Sequence, residues 1–163
     1  MKEIKGDLIQ LAKEKYFDII GHGCNCFNTM GSGIARQIKE NFPHAFMIDQ
    51  QTERGDIRKL GDFSYAFETI GERKVIPGEK VDYRERIIIV NIYSQYTYNP
   101  YDKPIDYEAL TLALRKINHL WPRLDIGLPL IGAGLAGGDW NRIKSIIEKE
   151  LKDMNVTIVH YDG

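Results

Sequence analysis

The residues of this chain best suited to chemistry sit in two glycine-rich stretches. The first reads Gly21-His22-Gly23-Cys24-Asn25-Cys26-Phe27-Asn28-Thr29-Met30-Gly31-Ser32-Gly33-Ile34-Ala35. An apolar run, residues 17–20, enters it, and a helical pattern, Ile34, Ile38 and Phe42, leaves it. A strand, a bend and a helix start in this order aim unpartnered backbone N–H groups and the positive end of a helix dipole at an anion. Gly31 and Gly33 admit positive φ and close approach of a ligand to the main chain. Ser32 or Gly33 falls in the first helical turn, where amide donors have no partner within the helix. The chemistry this points to is a ligand carrying phosphate. A turn that uses glycine only for its handedness has the same appearance.

The second stretch, Gly132-Ala133-Gly134-Leu135-Ala136-Gly137-Gly138, follows an apolar run (residues 126–131) and precedes a helix for which Asp139 is the expected cap. Gly132, Gly134 and Gly137 spell G-x-G-x-x-G, the dinucleotide fingerprint. Position argues against that assignment. A dinucleotide fold opens with this loop and needs an acidic residue about 20 residues on, at the end of the next strand. Here one helix and one strand follow, ending near His160-Tyr161-Asp162. In the first stretch Arg36 stands where the third glycine belongs. Neither stretch contains Gly-Lys-Ser/Thr, which excludes a P-loop nucleotidase, and no His-x-x-x-His pair or carboxylate cluster offers a catalytic metal site. The expectation is that no metal and no cofactor is needed. Two loops that each join a strand's carboxyl end to a helix share one edge of an open α/β sheet, so both can close on one ligand. That suits two linked phosphates, or a phosphate joined to a sugar.

Three side chains are candidates for catalysis. Asn25 can donate and accept, and so fix sugar hydroxyls or a water; an Asx turn within its own loop is the competing role. His22 titrates in the range of a general acid. Strand alternation, however, sets it with Ile20 and Cys24 and opposite Asn25, unless Gly21 and Gly23 break the alternation; a structural histidine is at least as well supported. Asp139 can polarise water or simply cap the last helix. Tyr93, Tyr96, Tyr98 and Tyr101 cluster beyond the strongest strand, where one can stack on a base or shield a sugar, or all can pack. Trp140 reads as core, and Arg36 and the charged residues 53–59 as solvated faces.

The elements that must position these groups follow from periodicity and breakers. A strand from residue 3 meets a turn at Gly6-Asp7, and Leu8, Leu11 and Ala12 suggest a short helix, with Asp7 a turn or cap residue. A strand at 17–20 is apolar enough to be buried on both faces. A helix at 33–41 is ended by Pro43, and a second covers 45–52. Residues 53–61 read as an exposed connection, 63–69 as a half-buried strand, and 71–86 as a solvated loop or hairpin tip. Residues 86–93 are the strongest strand, placed centrally. A loop at 94–103, a helix at 105–121 with Asp106 as cap, a strand at 126–131, a helix over 139–154 and a strand at 156–161 complete the chain. Helices alternating with apolar strands give the α/β class, with a mostly parallel sheet covered on both faces. No repeat or linker interrupts residues 1–163, so one domain is expected.

The length of 163 residues suits that reading and permits a full core. Lys and Arg number 22 against 23 Asp and Glu, a formal net charge of -1. This argues against nucleic-acid binding by bulk electrostatics, though not against a small basic pocket. The opening Met1-Lys2-Glu3-Ile4-Lys5-Gly6-Asp7 lacks the apolar core of a secretory signal, and no apolar run reaches membrane-spanning length. Cys24 and Cys26, the only cysteines, are too close for a good disulfide and too few for structural zinc unless His22 and others join. Small buried thiols in a reduced, cytoplasmic compartment are expected.

With these residues in place, nearly the whole chain resembles the macrodomain family, the ADP-ribose-binding fold. Gly6-Asp7-Leu8-Ile9 resembles the family's early Gly-Asp-Ile turn, whose Asp accepts the adenine amino group. Cys24-Asn25-Cys26 with Gly31-Ser32-Gly33-Ile34-Ala35 resembles its first loop, and the spacing puts on Asn25 the asparagine that contacts the distal ribose. Gly132-Ala133-Gly134-Leu135-Ala136-Gly137 resembles the second loop, which wraps the diphosphate and the distal ribose. The resemblance implies a three-layer α/β/α macrodomain with a mixed, mostly parallel central sheet. It implies ligand contacts at Asp7, Leu8, Asn25, Gly31, Ser32, Gly33, Ile34, Gly132, Ala133, Gly134, Leu135 and Ala136.

Within the family, His22-Gly23-Cys24-Asn25-Cys26 and the insert Asn28-Thr29-Met30 look most like the yeast-type ADP-ribose-1″-phosphate phosphatases. The layout, including Gly137-Gly138-Asp139-Trp140, is also similar to the branch of terminal ADP-ribose glycohydrolases and DNA de-ADP-ribosylating antitoxins. That branch uses a lysine at the end of the central strand to form an adduct with the distal ribose; here the place falls on Ser94 or Gln95. The implied activity is metal-independent hydrolysis of ADP-ribose-1″-phosphate, with Asn25, His22 and Asp139 as catalytic candidates and backbone donors of residues 31–34 and 132–136 neutralising phosphate. An ADP-ribosyl glycohydrolase and a non-catalytic binding module are the alternatives. From another class, a flavodoxin-like nucleotide enzyme would prefer FMN or NAD. The expected partner is a small ADP-ribose derivative bound by a monomer, with no membrane, and with nucleic acid only as an ADP-ribosylated substrate.

Overall fold

In the computed structural model, which describes residues 1–71, 76–78 and 84–162, the apolar runs become strands β1 (Lys2–Gly6), β2 (Ile19–Cys24), β3 (Phe63–Ile70), β4 (Glu85–Tyr93), β5 (Asp125–Leu128) and β6 (Asn155–Tyr161). Between them lie helices α1 (Leu8–Lys13), α2 (Gly33–Asn41), α3 (Pro43–Gln50), α4 (Tyr107–Leu120) and α5 (Trp140–Glu150). The strands form one sheet in the order β1-β6-β5-β2-β4-β3. Every pairing is parallel except that of β3 with β4. This is a three-layer α/β/α fold with the mixed, mostly parallel sheet anticipated.

Strand alternation divides the core. Ile20, Ile87, Ile89 and Val159 meet α1, α2 and α3 through Leu8, Ala12, Ile38 and Ala45. Ile19, Val90, Ile92, Ile126, Leu128 and Ile158 meet α4 and α5 through Leu110, Leu114, Ile117, Ile143 and Ile147. Residues of both parities are therefore buried, which is why the central strands read as unbroken apolar runs. Among the described residues no helix is long and apolar enough to cross a membrane.

Several boundaries move. β2 extends through Cys24 rather than ending at Ile20, because Gly21, His22, Gly23 and Cys24 all find ladder partners on β4. Pro43 does not separate two helices by a gap: it is the first residue of α3, with Phe42 closing α2 and opening α3, a position where the missing N–H has no consequence. β5 stops at Leu128, not at residue 131, and α5 stops at Glu150, with Leu151 as its cap, rather than at 154. Asp106 and Asp139 cap α4 and α5 as expected. Of the long connection assigned to 71–86, residues 72–75 and 79–83 lie outside the described residues.

Candidate functional site

β2 and β5 are adjacent and parallel, with Ile19 opposite Ile126 and Ile20 opposite Gly127. The chain leaving β2 enters α2 on one face of the sheet, and the chain leaving β5 enters α5 on the other. Neighbouring strand ends whose chains depart to opposite faces make the topological switch point, the crevice in which open α/β sheets take ligands. Both glycine stretches border it.

The first loop is pinned at its ends and open at its tip. Cys26 and Met30 are buried, while Gly31, Ser32 and Gly33 are exposed. Gly33 stands at φ +58°, the left-handed region glycine enters without strain. Ser32 makes no capping hydrogen bond to α2. Asp7, Asp106 and Asp139 cap α1, α4 and α5, and the amide of Ala45 in α3 donates 3.0 Å to Glu68 Oε1. Among the described helices α2 alone keeps its amino-terminal donors without a side-chain acceptor, next to the exposed residues Gly31, Ser32 and Gly33.

In the second loop Gly132 and Gly137 adopt φ +74°, and the loop closes on itself through Gly138 N–H to Gly132 C=O at 2.8 Å and Gly137 N–H to Gly134 C=O at 3.0 Å. The backbone N–H groups of Gly134, Leu135 and Ala136 have no acceptor among the described residues. The connection from β4 to α4 packs beside both loops: Cys26 N–H donates to Tyr96 C=O at 3.0 Å, and Ile105 N–H to Ala136 C=O at 3.2 Å.

Asn25 is buried and serves its own loop. Its Oδ1 accepts from Phe27 N–H at 2.8 Å, and its Nδ2 donates to Thr29 Oγ1 at 2.6 Å and Thr29 C=O at 3.3 Å. The Asx-turn role considered from sequence is the one its side chain fills here. His22 stays in strand alternation despite its flanking glycines. It is fully buried, its Nε2–H donating to Asn91 Oδ1 at 2.7 Å. Burial pulls its pKa down to about 4, against the opposing pull of Asn91. Held inside the layer between β2 and α3, it does not reach the crevice.

Asp139 is exposed at the junction of the second loop and α5, where Oδ1 accepts from Asn141 N–H at 3.0 Å. Asp7 caps α1 by one oxygen, Oδ1 accepting from Ile9 and Gln10 N–H at 3.0 and 3.2 Å. No donor among the described residues occupies its other oxygen. Leu8 is buried beside it. Of the four tyrosines, Tyr93 is buried, with Ser64 Oγ 2.7 Å from its hydroxyl, which donates to Asp49 Oδ1 at 2.8 Å. Tyr96 donates to Gly55 C=O at 2.7 Å. Tyr98 and Tyr101 remain 59% and 93% exposed, Tyr98 packing edge-on against Phe27. Trp140 packs on the core. Cys24 and Cys26 are buried, unpaired thiols whose pKa values burial raises, that of Cys26 to about 11.

Sequence reasoning missed Asn28 and Lys59. Asn28 holds φ +58°, and Lys59, taken for part of a solvated face, is half-buried against the first loop. Nothing local distinguishes that lysine within its charged run. A separate cleft of about 900 Å³ opens at the other edge of the sheet, by Asp125 and Asn155, and contains none of the residues singled out above.

An open α/β sheet layered by helices, with paired glycine loops at its switch point, defines a domain class built to hold a ligand at the carboxyl edge. The chain belongs to the Macro domain family, whose model matches residues 22–147. It is 33% identical over 167 residues to an uncharacterized 17.5 kDa protein from the tk-vs intergenic region of Enterobacteria phage T4, covering 99% of this chain and 97% of that protein. Its fold is similar to the macrodomain of Thermus aquaticus DarG, with a TM-score of 0.65 at 20% identity over 99% of this chain and 97% of that one. It is also similar to Thermosipho africanus DarTG in complex with ADP-ribose, with a TM-score of 0.68 at 13% identity over 99% of this chain and 41% of that one.

Proposed function

We propose that this macrodomain holds ADP-ribose-1″-phosphate between its two glycine loops and hydrolyses the distal phosphate ester, giving ADP-ribose and inorganic phosphate. The observation that carries the reading is the uncapped amino terminus of α2, facing the same crevice as the free amides of residues 134–136. Donors fixed by the fold neutralise phosphate oxygens without reorganising during reaction. The free oxygen of Asp7 suits the adenine amino group. The ADP-ribose in the Thermosipho africanus DarTG structure supports the ligand class.

Within this reading Asn25 shapes the first loop, and Asp139, whose second oxygen has no donor among the described residues, orients the attacking water. His22 has no part in the chemistry because it is buried and neutral. Gln95, near the end of β4, carries an amide tied to Thr97 C=O at 2.8 Å. The place of the adduct-forming lysine is held by Ser94 or Gln95, which weighs against a glycohydrolase that uses a lysine at that position.

The test pairs binding with turnover. ADP-ribose should raise the melting temperature more than NAD, ATP or FMN does, since selective binding stabilises the native state. The protein should release phosphate from ADP-ribose-1″-phosphate in the presence of chelator. Release of ADP-ribose from modified protein or nucleic acid without phosphate release identifies a glycohydrolase, and binding with neither activity identifies a binding module. Preference for FMN or NAD overturns the ligand class itself.

A further inference from the structure

Lys59 ends a short 3-10 turn, Ile57–Lys59, and both hydrogen-bond acceptors of its ammonium belong to the first glycine loop. Nζ donates to Cys26 C=O at 3.0 Å and to Asn28 Oδ1, and lies 5.1 Å from the centre of the Tyr93 ring. Asn28 is fastened further: its Nδ2 donates to Thr52 C=O at 2.8 Å, and its own C=O accepts from Gln50 Nε2 at 2.7 Å. Gly55 N–H adds a second donor to Cys26 C=O at 2.7 Å. The segment from α3 to residue 59 therefore backs the loop, with Lys59 a cationic contact to it.

No carboxylate among the described residues forms an ion pair with Lys59. The nearby carboxylates of Asp49 and Asp56 feel its charge without forming an ion pair with it, and half-burial leaves it less screened than a surface lysine. The ligand contacts proposed above, Asp7, Leu8, Asn25, residues 31–34 and residues 132–136, include no cationic side chain. At those positions a diphosphate would meet backbone dipoles and no cationic side chain, with the stem of Lys103 packed against Gly137 at the second loop.

We infer that Lys59 is the positioning residue of the first loop and the fixed positive charge that favours an anionic, diphosphate-bearing ligand in the crevice. Its role goes through the loop and through its field, not through contact with the reacting atoms. The inference about the ligand rests on the ADP-ribose reading above; the anchoring of the loop does not.

Lys59→Gln keeps a hydrogen-bond donor and removes the charge, Lys59→Met removes both, and Lys59→Arg keeps both. ADP-ribose affinity is measured by calorimetry at low and high salt for each. Lys59→Gln should weaken binding by about tenfold, the scale of one charge-assisted interaction, and flatten the dependence of log Kd on salt, while Lys59→Arg restores both. Unchanged affinity in Lys59→Gln, or weakened affinity with the wild-type salt slope, overturns the electrostatic role. Amide exchange at residues 26–31 of the ligand-free protein reads the anchoring separately. Faster exchange in Lys59→Met, or in Lys59→Ala if the former does not fold, supports it, and unchanged exchange overturns it. A wild-type protein that ignores ADP-ribose refutes the ligand reading and the electrostatic role together, while the exchange result still decides whether Lys59 holds the loop.

Discussion

His22 Nε2 and Asn91 Oδ1 lie 2.7 Å apart at directly opposed positions of β2 and β4, with both residues excluded from solvent. Asn91 donates through Nδ2 to Ala45 C=O at 3.0 Å and to Ser64 Oγ at 3.1 Å, so its oxygen is the atom left to accept the imidazole N–H. A buried polar pair with partners on both sides ties the two central strands to the helix above them.

This pair makes stability depend on acid. The folded pKa of His22 is about 4, below the 6.5 of a free imidazole, chiefly because burial disfavours the charged ring. The folded state therefore binds fewer protons than the unfolded state between these values, and the stabilisation present above pH 6.5 is lost as pH falls toward 4. The loss is on the order of 3 kcal/mol. Chemical denaturation across that range should show a smaller acid slope in His22→Gln than in wild type; equal slopes contradict the assignment.

Glycines of one loop should respond oppositely to substitution. A Cβ on Gly134 meets nothing within 4 Å, whereas one on Gly138 would stand 2.6 Å from Gly132 C=O. Gly134→Val should keep the melting temperature and reduce ADP-ribose affinity tenfold or more by filling the crevice, a change of ~1.4 kcal/mol or above. Gly138→Ala should lower stability by about 1–3 kcal/mol through overpacking. Calorimetric titration and thermal melts separate the two.

Asp139 holds a structural and a proposed chemical role that one substitution can part. Asp139→Asn keeps an oxygen acceptor for the Asn141 amide, so stability should change by only a few tenths of a kcal/mol. If the carboxylate orients water, phosphate release should fall about 100-fold while ADP-ribose binding persists. Asp139→Ala should in addition lose about 1 kcal/mol of helix capping.

Glu68 caps α3 from β3, the strand on which that helix packs. It is buried, Oε1 accepting from Ala45 N–H and Oε2 lying 2.9 Å from His44 Nδ1. Glu68→Ala should cost about 1–2 kcal/mol, since it leaves a helix-terminal donor unpaired, and Glu68→Gln should recover part of that loss. Denaturant midpoints would show both.

Much of the candidate site's scaffold was readable because its signals are local. Glycine at strand-to-helix bends, apolar strand runs and the Asp7, Asp106 and Asp139 caps each depend on residues within a few positions of one another. Alternation put His22 beside Ile20 on the strand, and the structure keeps it there. The sequence did not show that α3 would cover that face and close His22 off from the crevice. The competing role noted for Asn25 is the one its hydrogen bonds express, because Phe27 and Thr29 lie close enough to take its amide.

The order of helices and strands, the two donor-rich loops and the buried stripes followed from the amino-acid sequence by itself, since backbone stereochemistry and side-chain periodicity act over short spans. Tertiary structure alone decided that β2 and β5 are neighbours, that β2 runs on through His22 and Cys24, and that Lys59 reaches back to a loop some thirty residues earlier. Those outcomes depend on which strand completes another's hydrogen-bond ladder and which surface a charged stem packs against. Such pairings join residues distant in sequence, and no local pattern of apolar and polar positions specifies them.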